Sequence, residues 1–142
     1  MIFGVGTDIV RVARIKDAMA RHEHRFAMRI LGPEEQQIFH ARSESDVGKG
    51  VRYLATRFAA KEALSKAMGT GFRAPMSWHG AQLLNMENGR PQFVFDQTMT
   101  TWLVERNLRA HVSITDEHEY VVAFVILETS VAVQNGEQGS RQ

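Results

Sequence analysis

The sequence predicts an α+β fold, and three observations carry that assignment. The elements read strand, then helices, then mainly strands, without regular alternation of strand and helix. The Asn88-Gly89 pair between two apolar runs has the chemistry of a turn that closes a β-hairpin. The stretch from Val51 to Met68 repeats its apolar residues at three- and four-residue spacing, long enough for one dominant helix.

Residues Ile2 to Val10 alternate, so Phe3, Val5, Thr7 and Ile9 share one face of a strand while Gly4, Gly6 and Asp8 share the other. Asp8 is thereby expected at the end of a ledge cleared of side chains. From Val12 to about Phe26 the period becomes helical, with Val12, Ile15, Met19, His22 and Phe26 as the apolar stripe and Arg14, Arg21 and Arg25 on another. Gly32-Pro33 followed by Glu34-Glu35 predicts a helix start, since proline lacks only an N–H that the first turn leaves unpaired and acids suit the positive end of the dipole. That helix is expected to run to about Ala41, and Ser43 to Gly50 reads as a polar, glycine-containing loop. The long helix follows, with Ala60, Ala63, Leu64, Ala67 and Met68 as its buried face and Gly69 as its stop. Ala81 to Met86 and Gln92 to Phe95 are the hairpin strands, Met99 to Arg106 is helical, and His111 to Thr115 and Tyr120 to Leu127 are strands joined by the turn at Asp116-Glu117-His118-Glu119.

Residues 1–128 of the 142 are expected to form one domain, and the Gln-, Gly- and Ser-rich stretch 129–142 a disordered tail. No run approaches the ~20 apolar residues of a membrane-spanning helix, and no secretory signal is seen, so the cytoplasm is the expected compartment. With no cysteine, any metal must use oxygen or imidazole ligands. The net charge of +1 is unevenly spread: Arg11, Arg14, Lys16, Arg21, Arg25 and Arg29 crowd the first thirty residues, which could face an acidic partner.

On the long helix Phe58, Glu62 and Lys66 stand at four-residue steps, with Arg57, Lys61 and Ser65 one position round the cylinder. By spacing alone these form a solvated polar face, with Glu62 and Lys66 an i,i+4 ion pair of about 0.2–0.5 kcal/mol. Gly69-Thr70-Gly71 allows a ligand to approach the backbone closely, although by itself it reads first as a plain glycine stop. Asp8 and Glu62 together offer hard oxygen ligands of the kind Mg2+ takes, but periodicity does not bring them to one place. His111 shares a strand face with Ser113 and Thr115, where a lone histidine reads first as structural or exposed; the histidines at 22, 24, 40, 79 and 118 have no metal-ligand spacing.

Three segments taken together resemble the holo-[acyl-carrier-protein] synthases, the short type of 4'-phosphopantetheinyl transferase. They are Gly4-Val5-Gly6-Thr7-Asp8-Ile9-Val10, Arg57-Phe58-Ala59-Ala60-Lys61-Glu62-Ala63 with Lys66 and Gly69-Thr70-Gly71 behind it, and His111-Val112-Ser113-Ile114-Thr115. The similarity covers essentially Met1 to Glu128, including Asn88-Gly89-Arg90-Pro91. It implies a mainly antiparallel sheet packed with a long helix, assembling as a homotrimer with active sites at the subunit interfaces. It also implies transfer of 4'-phosphopantetheine from coenzyme A to a serine of acyl carrier protein, in fatty acid biosynthesis. By the same resemblance Asp8 and Glu62 match the magnesium ligands, and Lys66 matches the lysine near the phosphates. Phe58, Ser65, Gly69, Gly71, Gly89, Arg90, Pro91 and His111 fall along the coenzyme A cleft. Asp116 stands where some relatives carry a second histidine, so no two-histidine mechanism is implied.

Serine attack on the β-phosphate of coenzyme A displaces 3',5'-ADP, and the negative charge involved calls for electrostatic stabilisation. The implied catalytic set is Asp8, Glu62, Lys66 and His111. Glu62 acting through a magnesium-bound water is the first choice of general base, with Asp8 or His111 as alternatives. Acyl carrier proteins are acidic, which makes Arg14, Arg21 and Arg25 the expected carrier-docking residues, with Arg11 and Arg29 beside them. Two other readings compete. One is a different magnesium-dependent nucleotide or pyrophosphate enzyme on the same fold; the other is a noncatalytic module binding acidic protein or nucleic acid. The second lacks the strongly basic balance and the aromatic platform usual for nucleic acid.

Overall fold

A computed structural model describes residues 1–130. The amino-terminal strand β1 (Ile2–Arg11) lies antiparallel to β5 (Tyr120–Thr129), and β5 in turn to β4 (Leu108–Asp116), giving a sheet of order β1-β5-β4. A second sheet is the hairpin of β2 (Ala81–Asn85) and β3 (Pro91–Phe95). Between them run α1 (Val12–His22), α2 (His24–Ile30), α3 (Pro33–Ser45), α4 (Val47–Met68) and the short α5 (Gln97–Glu105). The predicted α+β class and the antiparallel pairing are both present.

The glycine face of β1 is not an open ledge. A Cβ at Gly4 would stand 1.9 Å from Ala67 O and one at Gly6 1.8 Å from Ala63 O, so α4 lies directly on the backbone of β1. Glycine is required there because any side chain would lift the helix off the strand. The same face of β5 presents Val121, Ala123, Val125 and Leu127, all fully buried under α4. The predicted helix face of Ala60, Ala63, Leu64, Ala67 and Met68 is buried as expected, and Gly69 ends the helix in the left-handed region at φ 77°.

Three boundaries differ from expectation. The helix predicted from Val12 to Phe26 breaks at Glu23, whose positive φ of 52° cannot continue it. The chain then turns so that Ala27 and Ile30 of α2 are buried and Phe26 meets Phe58 of α4, ring centroids 6.2 Å apart. The expected loop at Ser43 to Gly50 is almost absent: α3 runs to Ser45, and Asp46 caps α4 by accepting from the Gly48 N–H at 2.7 Å. Gly50 permits this tight corner, since a Cβ there would reach 2.0 Å from Ser43 Oγ. The last strand extends to Thr129, whose N–H donates to Met1 O at 2.8 Å. Thr129, expected as the first residue of the tail, is thus part of this strand, and 131–142 lie outside the described residues.

The Asn88-Gly89 turn closes the hairpin as predicted. Gly89 takes φ 81° and donates to Met86 O at 2.8 Å, while Asn88 Oδ1 accepts from the Arg90 N–H at 2.9 Å.

Candidate functional site

Because Gly4 sits on Ala67 and Gly6 on Ala63, the next residue on that strand face, Asp8, emerges toward the preceding turn of α4. Lys66 reaches across and donates to Thr7 O at 2.9 Å and to Asp8 Oδ1 at 3.2 Å. The expected i,i+4 pair with Glu62 is not formed among the described residues; Lys66 pairs with the strand instead. Glu62 is half-buried, and burial pushes its carboxyl up, as does the negative charge of Asp8. Lys66 and Arg14 pull it back down. Asp8, Glu62 and Lys66, which periodicity left apart and the resemblance implied together, therefore form one electrostatic cluster, with Arg14 of α1 at its edge.

The solvated-face reading of α4 fails at its other polar residues. Arg57, Lys61 and Ser65 are buried, with Lys61 at 0% exposure. The Lys61 ammonium donates to Glu35 Oε1 at 2.5 Å, Ile30 O at 2.6 Å and Trp78 O at 2.7 Å. Glu35 in turn accepts from the N–H groups of Gly32 and Leu83. Burial lowers the Lys61 pKa, and the Glu35 carboxylate opposes that shift. This polar node joins α2, α3, α4, β2 and the 69–80 segment. Periodicity missed it because a buried lysine and a solvated one have the same sequence spacing.

Of the other residues placed near coenzyme A, Phe58 is half-buried and stacks on Trp78 at 5.4 Å, and Ser65 Oγ donates to Glu62 O at 2.7 Å. Gly69 and Gly71, at φ 77° and 58°, face open space, with nothing within 4 Å of a Cβ built on either. Gly89 and Pro91 lie elsewhere. They line a cleft of about 720 Å³ with Arg42, Lys49, Arg52 and Arg57, which contains neither Asp8 nor Glu62. Sequence reading did not single out those four cations as a group. Arg42 and Arg57 lie over the Tyr53 ring at 4.9 and 4.2 Å, and burial pushes the Tyr53 hydroxyl up to about 12. Arg90, Pro91 and His111 line a separate recess of about 520 Å³.

His111 stands opposite Ile126, which stands opposite Val5, on the sheet face turned away from α4. Asp8 pairs with Ala123 on the face that α4 covers. One chain therefore does not bring His111 to the Asp8–Glu62 cluster. His111 Nε2 instead lies 2.8 Å from Glu128 Oε2. Asp116 lies near Arg52, at 3.7 Å.

The arginine stripe is also divided. Arg14 and Arg21, with Arg11 and Asp17, line a recess of about 430 Å³ on α1. Arg25 follows the break at Glu23 and joins Phe26 and Arg29 of α2 in a second recess of about 430 Å³.

Two carboxylates and a lysine meet between β1 and α4, and residues 4–125 match the 4'-phosphopantetheinyl transferase superfamily. The chain is 52% identical over 128 residues to the holo-[acyl-carrier-protein] synthase of Herminiimonas arsenicoxydans, covering 90% of this chain and 98% of that one. To the Bordetella parapertussis synthase it is 53% identical, covering 92% and 86%. Its fold superposes on the crystal structure of the Neisseria meningitidis synthase with a TM-score of 0.83 at 42% identity, covering 91% and 100%. A synthase from Bacillus anthracis, in complex with CoA (3',5'-ADP), superposes with a TM-score of 0.75 at 32% identity, covering 92% and 99%. The chain belongs to the holo-[acyl-carrier-protein] synthase family of that superfamily.

Among the described residues no group of three or more histidine, aspartate or glutamate side chains is placed to hold a metal. The donor set at Asp8 and Glu62 nevertheless fits a hard divalent cation that draws its remaining ligands from substrate phosphate and water.

Proposed function

We propose that this chain transfers the 4'-phosphopantetheine moiety of coenzyme A to a serine of apo acyl carrier protein, giving holo acyl carrier protein and 3',5'-ADP, as a cytoplasmic enzyme of fatty acid biosynthesis. The observation that carries this reading is the Asp8–Lys66–Glu62 cluster, in a chain that is 32% identical to a synthase crystallised with coenzyme A. Asp8 and Glu62 would hold Mg2+, which when bound supplies Lewis-acid stabilisation of the pyrophosphate. Lys66, tied to Thr7 O and Asp8, presents its ammonium to the same phosphates. Glu62 takes the serine proton through a water as the oxygen bonds to the β-phosphorus and the bond to 3',5'-ADP breaks. The left-handed Gly69 and Gly71 leave backbone uncovered next to Lys66, where phosphate oxygens can approach. Incubation with coenzyme A, Mg2+ and apo acyl carrier protein should add the mass of one phosphopantetheine to the carrier; no mass change at any enzyme concentration would reject the reading.

The nucleotide end of coenzyme A suits the cleft of Arg42, Lys49, Arg52 and Arg57, whose charges match a phosphate and which includes the expected residues Gly89 and Pro91. That cleft and the Asp8 cluster lie apart on one chain, and His111 is on the opposite sheet face. A homotrimer reconciles these positions by completing each site from two subunits. The outer sheet face supports such an assembly, since Phe3, Val5, Ile9, Val122 and Phe124 are 47%, 49%, 62%, 39% and 38% exposed there. Dilution should therefore lower specific activity in step with the trimer. A fully active monomer by light scattering would contradict the assembly.

Carrier docking is assigned to Arg14, Arg21 and Arg25. Arg14 acts electrostatically on Glu62, so Arg21 is the cleaner test. Arg21→Glu should raise the KM for carrier protein about tenfold at low salt and leave coenzyme A affinity unchanged, the effect shrinking as salt shortens the Debye length to ~8 Å and below. Unchanged carrier kinetics at low salt would overturn the assignment and make the stripe an ordinary solvated face.

A further inference from the structure

We propose that Trp78 is a positioning residue for coenzyme A, fastening the Gly69-Thr70-Gly71 turn to α4; the proposal rests on the coenzyme A reading above. Residues 69–80 contain no helix or strand, yet they carry the glycines expected to meet the phosphates. Local bonds hold the start of this segment: the N–H of Gly69 donates to Lys66 O at 3.1 Å and that of Gly71 to Ser65 O at 3.3 Å. Among the described residues no atom lies within 4 Å of a Cβ built on Gly69 or Gly71.

Trp78 supplies the tie from the side. Its indole stacks on Phe72, the residue directly after Gly71, with centroids 3.8 Å apart and planes at 23°. The same indole stacks on Phe58 of α4 at 5.4 Å and 22°. Phe58 lies one turn before Glu62, so the Phe72–Trp78–Phe58 stack links the glycine turn to the helix that carries the catalytic carboxylate. The indole itself is held at the backbone, where Trp78 O accepts from the buried Lys61 ammonium at 2.7 Å. The neighbouring His79 ring lies 2.7 Å from Met28 O, which requires its Nε2–H to donate. Trp78 is thus fixed by its main chain to the polar node and uses its ring to hold Phe72.

Removing the ring releases the turn without detaching the segment, because the Lys61 bond is to the carbonyl. A turn that samples closed and open forms binds more weakly by the fraction that is competent, while the bound complex reacts as before. Trp78→Ala should therefore raise the KM and Kd for coenzyme A about tenfold. The kcat at saturating coenzyme A and the KM for carrier protein should stay within about twofold of wild type. Trp78→Phe, which keeps a stacking ring, should recover most of the loss. Phe72→Leu, which removes the other half of the contact at a half-buried position, should reproduce the same split. Hydrogen exchange should quicken in peptides from residues 69–76 and not in those from α3 or β5.

Equal losses in kcat and in both KM values would make Trp78 merely structural and overturn the proposal. So would unchanged coenzyme A binding in Trp78→Ala, or failure of Trp78→Phe to rescue. If the wild-type protein bound no coenzyme A by calorimetry, the transfer reading itself would fall and the proposal with it. Binding by wild type with equal binding by Trp78→Ala would remove the proposal alone.

Discussion

Glu62→Gln and Asp8→Asn should each reduce transfer about 100- to 1,000-fold at ordinary magnesium, with the fold intact. The amide keeps the shape of the carboxylate but gives up the anionic oxygen that a hard cation prefers. Glu62 carries a second, independent signature. Its carboxyl is shifted upward by burial first and by Asp8 second, so in the metal-free protein the ionised form costs the folded state free energy. That cost is absent below the unfolded-state pKa and grows as pH rises through the folded one. Glu62→Gln should therefore melt at the same or a higher temperature than wild type in chelator near pH 7, and the difference should vanish in acid. Loss of activity together with unchanged or raised stability is expected of a functional group and not of a structural one. Turnover near wild type in either purified variant would remove the metal assignment.

Lys61→Met should destabilise the protein by about 3–5 kcal/mol, the usual effect of removing one partner of a buried ion pair. Methionine fills much of the same volume, so the loss comes from charge and hydrogen bonding rather than from a cavity. Glu35 would remain fully buried with only the Gly32 and Leu83 N–H groups to stabilise its charge, and Ile30 O and Trp78 O would each lose a donor. Adding Glu35→Gln to Lys61→Met should restore part of the stability, because the amide oxygen still accepts from one of the two N–H groups, which bond to different oxygens of Glu35, and the uncompensated charge is gone. Urea denaturation of the single and double variants measures both numbers. A loss under about 1 kcal/mol for Lys61→Met would show the node to be replaceable.

The elements were legible wherever one short-range rule governed them. Strand alternation located β1 and put Asp8 on the glycine face, and the apolar spacing of Ala60, Ala63, Leu64 and Ala67 identified the buried side of α4. Gly69 and Asn88-Gly89 marked a helix stop and a hairpin turn because left-handed backbone favours glycine so strongly. The resemblance of the three motif segments supplied the family. Where local rules were weak the boundaries slipped. The positive φ at Glu23 has no strong residue signature, and Gly48 and Gly50, read as loop residues, instead let α3 and α4 meet at a tight corner.

Nearest-neighbour spacing acts over a few residues, and on that scale the sequence already contains its strands, its helices, its stops and the motif segments that carry the family resemblance. The partners of those motif residues are set by packing. Lys66 bonds to Asp8 across a sequence separation of 58 residues and Lys61 to Glu35 across 26, and both contacts follow from α4 lying on two glycines of β1 and against α3. His111 is turned away from Asp8 because the strand pairing assigns them to opposite faces of one sheet. A polar residue on a helix carries the same periodicity whether water or protein surrounds it, so the folding of the other elements around α4 buries Lys61 and leaves Lys66 exposed.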